Sequence, residues 1–343
     1  MDEQRYRAVE DALWHDAGIT PTEHRVHLAR NDVDVRVLEV GEGPATLFLH
    51  GGPGAAAPIW AYLAARLPQL RCLLVDRPGT GLSDAHPLSD PAAVRRECET
   101  LVADVLDGIG IERAHLVGSS HGSYVALLSA AADPGRVERT VHLGCPGFVD
   151  GMTATVFDRL VLLPGAPQIF SRLPASERGM RSTFRQLGHT AALEADQIPQ
   201  PLIDWAVALQ HHTDTMRNEL TSMGNMGTFR HSFDPALTVE AGILEQVRSP
   251  THLLWGDNDP YGDESVARQL VDTLPDAQLE MLPGAGHLCW LDNLDHAADV
   301  VRSHLVAGPT STASACHRAR ARAAPPTPPA RGCDHLEPGS GCG

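Results

Sequence analysis

The sequence predicts an α/β protein: a mostly parallel sheet flanked by helices, interrupted once by a helical insertion. Three observations carry this. Short apolar, β-rich runs alternate with helical patterns between Glu23 and Asp150, the rhythm of strands joined by crossover helices. The rhythm stops between about residues 151 and 234, where Met, His, Phe and Pro-interrupted helical segments replace it. It resumes at Thr251–Trp255 (THLLW) and Gln278–Leu282 and closes with a helix over roughly Asp292–Val306.

Taken in order, Val26–Val40 alternates around an Asn31-Asp32 turn and reads as an antiparallel hairpin. Ala45–His50 (ATLFLH), Arg71–Asp76 (RCLLVD) and Ala114–Gly118 (AHLVG) are continuous apolar runs, as expected of strands buried on both faces. Asp90-Pro91 supplies an N-cap and a first-turn proline for a helix in which Val94, Cys98, Leu101, Val105 and Ile109 share one face. The expected organisation is a core in two parts, residues 1–150 and 236–307, a helical cap over 151–235, and a disordered Pro-, Ala- and Gly-rich tail over 308–343.

Composition narrows the function. A formal net charge of -16 leaves no basic surface to replace the counterions of a nucleic acid. All 27 basic residues are arginine. With no lysine, Schiff-base chemistry, a pyridoxal-phosphate anchor and a Walker-type phosphate loop are ruled out. The charged start MDEQRYRAVEDALW lacks the apolar run of a secretory signal, and no stretch is long and apolar enough to span a membrane, so a cytoplasmic location is expected. Seven scattered cysteines fit a reducing compartment, most of them as core thiols. His211, His212 and Asp214 do not make a metal site, because adjacent histidines on a helix point apart and no third ligand accompanies them. No metal and no cofactor are expected.

Chemistry concentrates in two glycine-rich loops. Gly118-Ser119-Ser120-His121-Gly122 follows a buried strand and opens an Ala- and Leu-rich helix, the setting in which a tight turn projects a nucleophilic serine, here Ser120. Side chains at Gly118 or Gly122 would collide with neighbouring backbone. His50-Gly51-Gly52-Pro53-Gly54, directly after ATLFLH, offers an unencumbered backbone N–H. Developing negative charge on a tetrahedral intermediate needs two fixed donors. The N–H groups of Gly52 and His121 are assigned to that oxyanion hole, with Gly51 as the alternative to Gly52.

HGGPG, DRPGTGLSD at Asp76–Asp84, GSSHG, WGDNDP at Trp255–Pro260 and GAGH at Gly284–His287, in that order, look like the α/β-hydrolase superfamily over about residues 23–306. The first two motifs are especially similar to the proline iminopeptidase branch and its esterase, lactonase and C–C hydrolase relatives. The resemblance implies Asp259 as the acid and His287 as the base of a Ser120 triad, with Asp257 the rival acid. It departs at His121, where iminopeptidases carry Trp, which points away from peptidase activity. Asp76, Arg77 and Asp84 are read as scaffold, tying loops together by ion pairs or turn caps.

The leading expectation is hydrolysis of an ester, lactone or related acyl bond of a small, largely apolar molecule. C–C bond cleavage or iminopeptidase-like action on the same triad are the alternatives, and a non-catalytic receptor on this fold is a third. A serine nucleophile excludes the haloalkane dehalogenases and epoxide hydrolases of the superfamily, which use aspartate. Trp205 and Met216 lie on a helical stripe with Leu202, Leu209 and His212 and are the expected substrate-binding residues. Oligomeric state is left open.

Overall fold

The structure is a computed structural model and describes residues 1–306 and 341; the expected disordered tail over 308–343 lies outside the described residues apart from Gly341. Residues 1–306 form one compact unit. The chain opens with α1 (Glu3–Ala17), then a hairpin of β1 (Thr22–Leu28) and β2 (Val33–Val40), β3 (Ala45–Leu49), α2 (Ala61–Ala64) and β4 (Arg71–Val75). Next come α3 (Pro91–Ile109), β5 (Ala114–Gly118), α4 (His121–Ala132) and β6 (Val137–Leu143). An insertion follows: α5 (Val156–Val161), α6 (Ala166–Phe170), α7 (Glu177–Gln186), α8 (Thr190–Glu194), α9 (Gln200–His212), α10 (Thr215–Gly224) and a small hairpin of β7 (Gly227–Thr228) and β8 (Ser232–Phe233). The body resumes with α11 (Ala241–Leu244), β9 (Thr251–Gly256), α12 (Glu264–Thr273), β10 (Ala277–Leu282) and α13 (Leu294–Val306).

Eight strands form one sheet in the order β1-β2-β4-β3-β5-β6-β9-β10, parallel from β4 to β10 and antiparallel at the β1–β2 and β2–β4 pairs. Both faces are covered, which explains the continuous apolar runs. Leu47, Leu49, Leu73 and Val75 point into a core with α3 and α4, while Phe48, Cys72 and Leu74 enter the opposite core with α1, α9 and α13. Asp90 caps α3 by accepting from the Ala93 N–H at 2.9 Å, with Pro91 at the first helical position. Four of the seven cysteines, Cys72, Cys98, Cys145 and Cys289, are buried free thiols.

Besides the one-turn helices α2 and α11, three longer elements are absent from the sequence reading. Helix α1 is read there only as a charged terminus, yet its buried face of Tyr6, Leu13 and Trp14 packs into the core shared with α9. Strand β6 (VERTVHL) hides behind Glu138 and Arg139, although Val137, Val141 and Leu143 are buried. Helix α12 goes unread as well; only Val266, Ala267 and Leu270 of it are buried.

Asp76 and Asp84 act as scaffold, as expected. Asp76 accepts from the Ala57 and Leu82 N–H groups and from Nε of Arg36, whose Nη1 also donates to Glu10. Asp84 accepts from Arg25 and from the Asp34 N–H. Arg36 is wholly buried, as is Asp76. Removing one member of such a network strands the others in low dielectric. Arg36→Met is therefore expected to destabilise the protein by about 3–5 kcal/mol, read as a lower urea midpoint with unchanged slope; a loss below ~1 kcal/mol would contradict this reading of the network.

Candidate active site

The loops leaving the carboxyl ends of β3, β4, β5, β6, β9 and β10 build the site. Ser120 sits between β5 and α4 with φ 52° and ψ −121°, a backbone conformation that a serine adopts only when its surroundings impose it. Helix α4 imposes it: Gly122 through Ala131 are all buried, so the helix is fixed in the centre of the body. A Cβ at Gly122 would lie 1.8 Å from the Leu49 carbonyl oxygen, and one at Gly118 would lie 2.8 Å from the Gly122 oxygen. The collision expected from sequence is thus the actual packing. His121 is the first residue of α4, and its N–H has no intrahelical acceptor.

Asp259 and His287, 28 residues apart, meet where the loops after β9 and β10 come together. His287 Nδ1 lies 2.8 Å from Asp259 Oδ2. Asp259 is held by the Cys145 N–H on Oδ2 at 2.8 Å and the Tyr261 N–H on Oδ1 at 2.9 Å, so its carboxylate has little freedom. In the neutral ring, donation from Nδ1 places the lone pair on Nε2. That atom is buried and has no hydrogen-bond partner among the described residues. The His287 loop is itself pinned: the His287 N–H donates to Leu187 O, Leu288 N–H donates to His189 Nε2, and His189 Nδ1 donates to Asp292. The rival acid Asp257 accepts instead from the Gly284 N–H at 2.7 Å and is exposed.

The Gly51–Gly52 loop abuts the serine, since a Cβ on Gly51 would come within 3.1 Å of Ser120 Cβ. Gly51 O accepts from His50 Nδ1 at 2.6 Å and from Arg77 Nη2 at 2.8 Å. Burial, aided by the neighbouring Arg77 charge, pushes the His50 pKa well down and keeps the ring neutral. With Nδ1 donating, Nε2 accepts from the Arg77 N–H at 3.3 Å.

A cavity open to solvent reaches Ser120, His121 and Gly52. Its apolar wall comprises Leu88, Phe148, Met152, Met223, Met226 and Phe233. Arg77, His86, Glu97, Asp158, Asn218 and Glu219 form the polar wall. Tyr261 also lines it, with its ring 4.5 Å from that of His287. Two sequence expectations need correction here. Trp205 is fully buried away from the cavity and donates from Nε1 to Tyr6 Oη at 3.0 Å; the apolar stripe of α9 faces α1, not the substrate space. Met216 is half-buried against Val161, Leu220 and Met223 and is not part of the cavity wall. Conversely, Arg77, Asp158 and Glu219 belong to the wall, whereas the sequence alone suggests only a scaffold role for Arg77 and none for the two acids.

A serine in a strained strand–helix turn and a buried His–carboxylate pair, linked by a cavity that Ser120 shares with Tyr261, whose ring lies 4.5 Å from that of His287, are the parts of a serine hydrolase. The chain belongs to the alpha/beta hydrolase family, whose sequence profile matches residues 46–303. Among curated relatives, it is 27% identical over 272 residues to the 2-hydroxy-6-oxo-6-phenylhexa-2,4-dienoate hydrolase of Burkholderia cepacia, covering 76% of this chain and 87% of that one. It is also 27% identical to a 2-hydroxy-6-oxononadienedioate/2-hydroxy-6-oxononatrienedioate hydrolase of Paraburkholderia phymatum, covering 81% of this chain and 92% of the relative. Among solved structures, the naproxen esterase of Bacillus subtilis superposes with a TM-score of 0.67 at 20% identity, over 88% of this chain and 97% of that one. The protein is a hydrolase and an enzyme of serine type. Among the described residues, no helix is long and apolar enough to cross a membrane.

Proposed function

We propose that the protein hydrolyses an ester, lactone or related acyl bond of a small, uncharged, largely apolar substrate through an acyl-enzyme on Ser120. The buried His287–Asp259 pair, together with the strained serine, carries this reading. Ser120 Oγ attacks the acyl carbon while His287 Nε2 takes its proton, and Asp259 fixes the tautomer and stabilises the imidazolium. The N–H groups of Gly52 and His121 receive the developing oxyanion, each contributing roughly 3 kcal/mol of barrier lowering. His287 then protonates the leaving oxygen and afterwards activates the water that releases the acid. The inserted helices act as the lid over the cavity, and the substrate is a small molecule.

The charge state of the wall supports an uncharged substrate. Arg77, the only arginine of the wall among the described residues, is already paired with Glu219 at 3.1 Å. Glu97 is paired with His86, and Asp158 accepts from the Thr155 N–H and hydroxyl. Burial holds the Asp158 pKa up, favouring its uncharged form. A substrate carboxylate would meet no free cation, and a substrate ammonium no free carboxylate, so either would be desolvated without a partner. This argues against an iminopeptidase, which needs an acidic seat for its substrate's free amine.

C–C bond cleavage is the second reading, and the names of the curated relatives favour it. The two are separated by comparing kcat/KM, each corrected for its uncatalysed rate, for p-nitrophenyl butyrate, a medium-chain lactone, a 2-hydroxy-6-oxo dienoate and a prolyl naphthylamide. The uncharged ester or lactone is expected to be preferred by at least ~10²-fold, the effect of one unpaired buried charge. A preference for the dienoate would transfer the function to the C–C class, and a preference for the prolyl amide to the peptidases.

A further inference from the structure

Arg77 is an unusual residue to bury. Its side chain is about 6% exposed, and its Nε has no acceptor among the described residues. Buried ion pairs are weak sources of stability because desolvation opposes their attraction, so the position of this guanidinium invites a role beyond holding the fold. It reaches two partners with one nitrogen: Nη2 donates to Gly51 O at 2.8 Å and to Glu219 Oε2 at 3.1 Å. Gly51 O and Gly52 N–H belong to one peptide plane. Across a trans peptide they point in opposite directions, so tethering the carbonyl, as Arg77 and His50 both do, aims the N–H.

Glu219 arrives from the inserted helices. Helix α10 docks on the loop after β4 through Asn218 Nδ2 donating to Gly79 O at 3.0 Å and Thr215 Oγ1 accepting from the Gly81 N–H at 2.9 Å. Glu219 Oε2 then lies 2.6 Å from where a Cβ of Gly52 would be. A bare carboxylate there would oppose negative charge building at the Gly52 N–H; the Arg77 guanidinium beside it neutralises that charge.

We propose that Arg77, with Glu219 as its partner from the insertion, is a positioning residue for the oxyanion peptide Gly51–Gly52, so that charge stabilisation is complete only when α10 is seated on the loop after β4. The proposal rests on the Ser120 acyl-transfer reading. It makes the two residues non-additive. Arg77→Met both releases the peptide and unmasks Glu219. Glu219→Gln keeps an acceptor for Arg77 and removes the unfavourable charge, so it costs less and offsets part of the loss caused by Arg77→Met.

The test measures p-nitrophenyl butyrate turnover per active site titrated with a fluorophosphonate, so that misfolded protein is not counted. Expected for Arg77→Met is a roughly 10²-fold fall in kcat with KM changed less than about threefold. Arg77→Lys, which keeps the charge but lacks the planar fork, should fall in between, and Arg77→Met/Glu219→Gln should be faster than Arg77→Met alone. Affinity for a trifluoromethyl ketone, whose hemiketal oxyanion mimics the intermediate, should weaken by the same factor as kcat. Unchanged kcat per titrated site and unchanged ketone affinity, or a loss confined to KM and to the number of titratable sites, would overturn the proposal. Full turnover in Ser120→Ala would instead overturn the acyl-transfer reading on which it stands.

Discussion

Ser120→Ala is expected to lower acyl hydrolysis by roughly 10⁴-fold or more, leaving only the catalysis supplied by binding and the oxyanion donors. The reason is geometric. The turn that holds Ser120 at φ 52° is imposed by the burial of α4 and by the contact of Gly122 with the end of β3, so no neighbouring hydroxyl can be brought to the same point without moving the body of the protein. Ser119 is the nearest rival in sequence, but it is fully buried and its hydroxyl makes no hydrogen bond among the described residues. Alanine loses only the hydroxyl and keeps the backbone, so the melting temperature should stay within a few degrees of the parent. Activity within tenfold of the parent, measured on protein free of contaminating esterase, would remove Ser120 from the mechanism.

Asp259→Asn is expected to cost about 10⁴-fold in kcat, and Asp257→Asn less than about tenfold. Both aspartates lie in the loop after β9, two residues apart, so the pair separates a catalytic carboxylate from a turn carboxylate with the same chemical change. An amide at 259 can offer its NH₂ group to His287 Nδ1, which favours the tautomer with the proton on Nε2, the atom that must accept from Ser120. It also disturbs the bonds from the Cys145 and Tyr261 N–H groups, which require acceptors. At 257 the amide keeps an oxygen for the Gly284 N–H. Steady-state kinetics on the two variants decide the matter; the reverse order would assign the acid to Asp257.

Much of the fold was legible because the sheet is covered on both sides. ATLFLH, RCLLVD, AHLVG and THLLW are continuous apolar runs, and each becomes a strand within a residue or so of its expected bounds. Strand β6 escaped because Glu138 and Arg139 interrupt its apolar run, and α1 because its buried Tyr6, Leu13 and Trp14 are spaced among charges. Asp259 and His287 follow β9 and β10, and parallel strands deliver their carboxyl-end loops to one edge, but their roles were implied by the resemblance of WGDNDP and GAGH to the α/β hydrolases, since β10 is only partly buried. The insertion was not so readable. An apolar helical stripe states only that a face is buried, not what buries it, and on α9 the answer is α1. Nor could local sequence reveal that Arg77 and Glu219, 142 residues apart, would share the cavity wall.

Ser120 is expected to carry the acyl group between the two half-reactions, and trapping that intermediate tests this most directly. The native enzyme would be mixed with a slowly deacylating p-nitrophenyl ester, quenched in acid within the burst phase, digested and sequenced by mass spectrometry. The expected result is one acyl adduct per chain, on the peptide containing Gly118–Gly122 and localised to Ser120, formed at the rate of the nitrophenolate burst. An adduct on another residue, or turnover of the ester with no burst and no adduct under conditions where deacylation limits the rate, would contradict it.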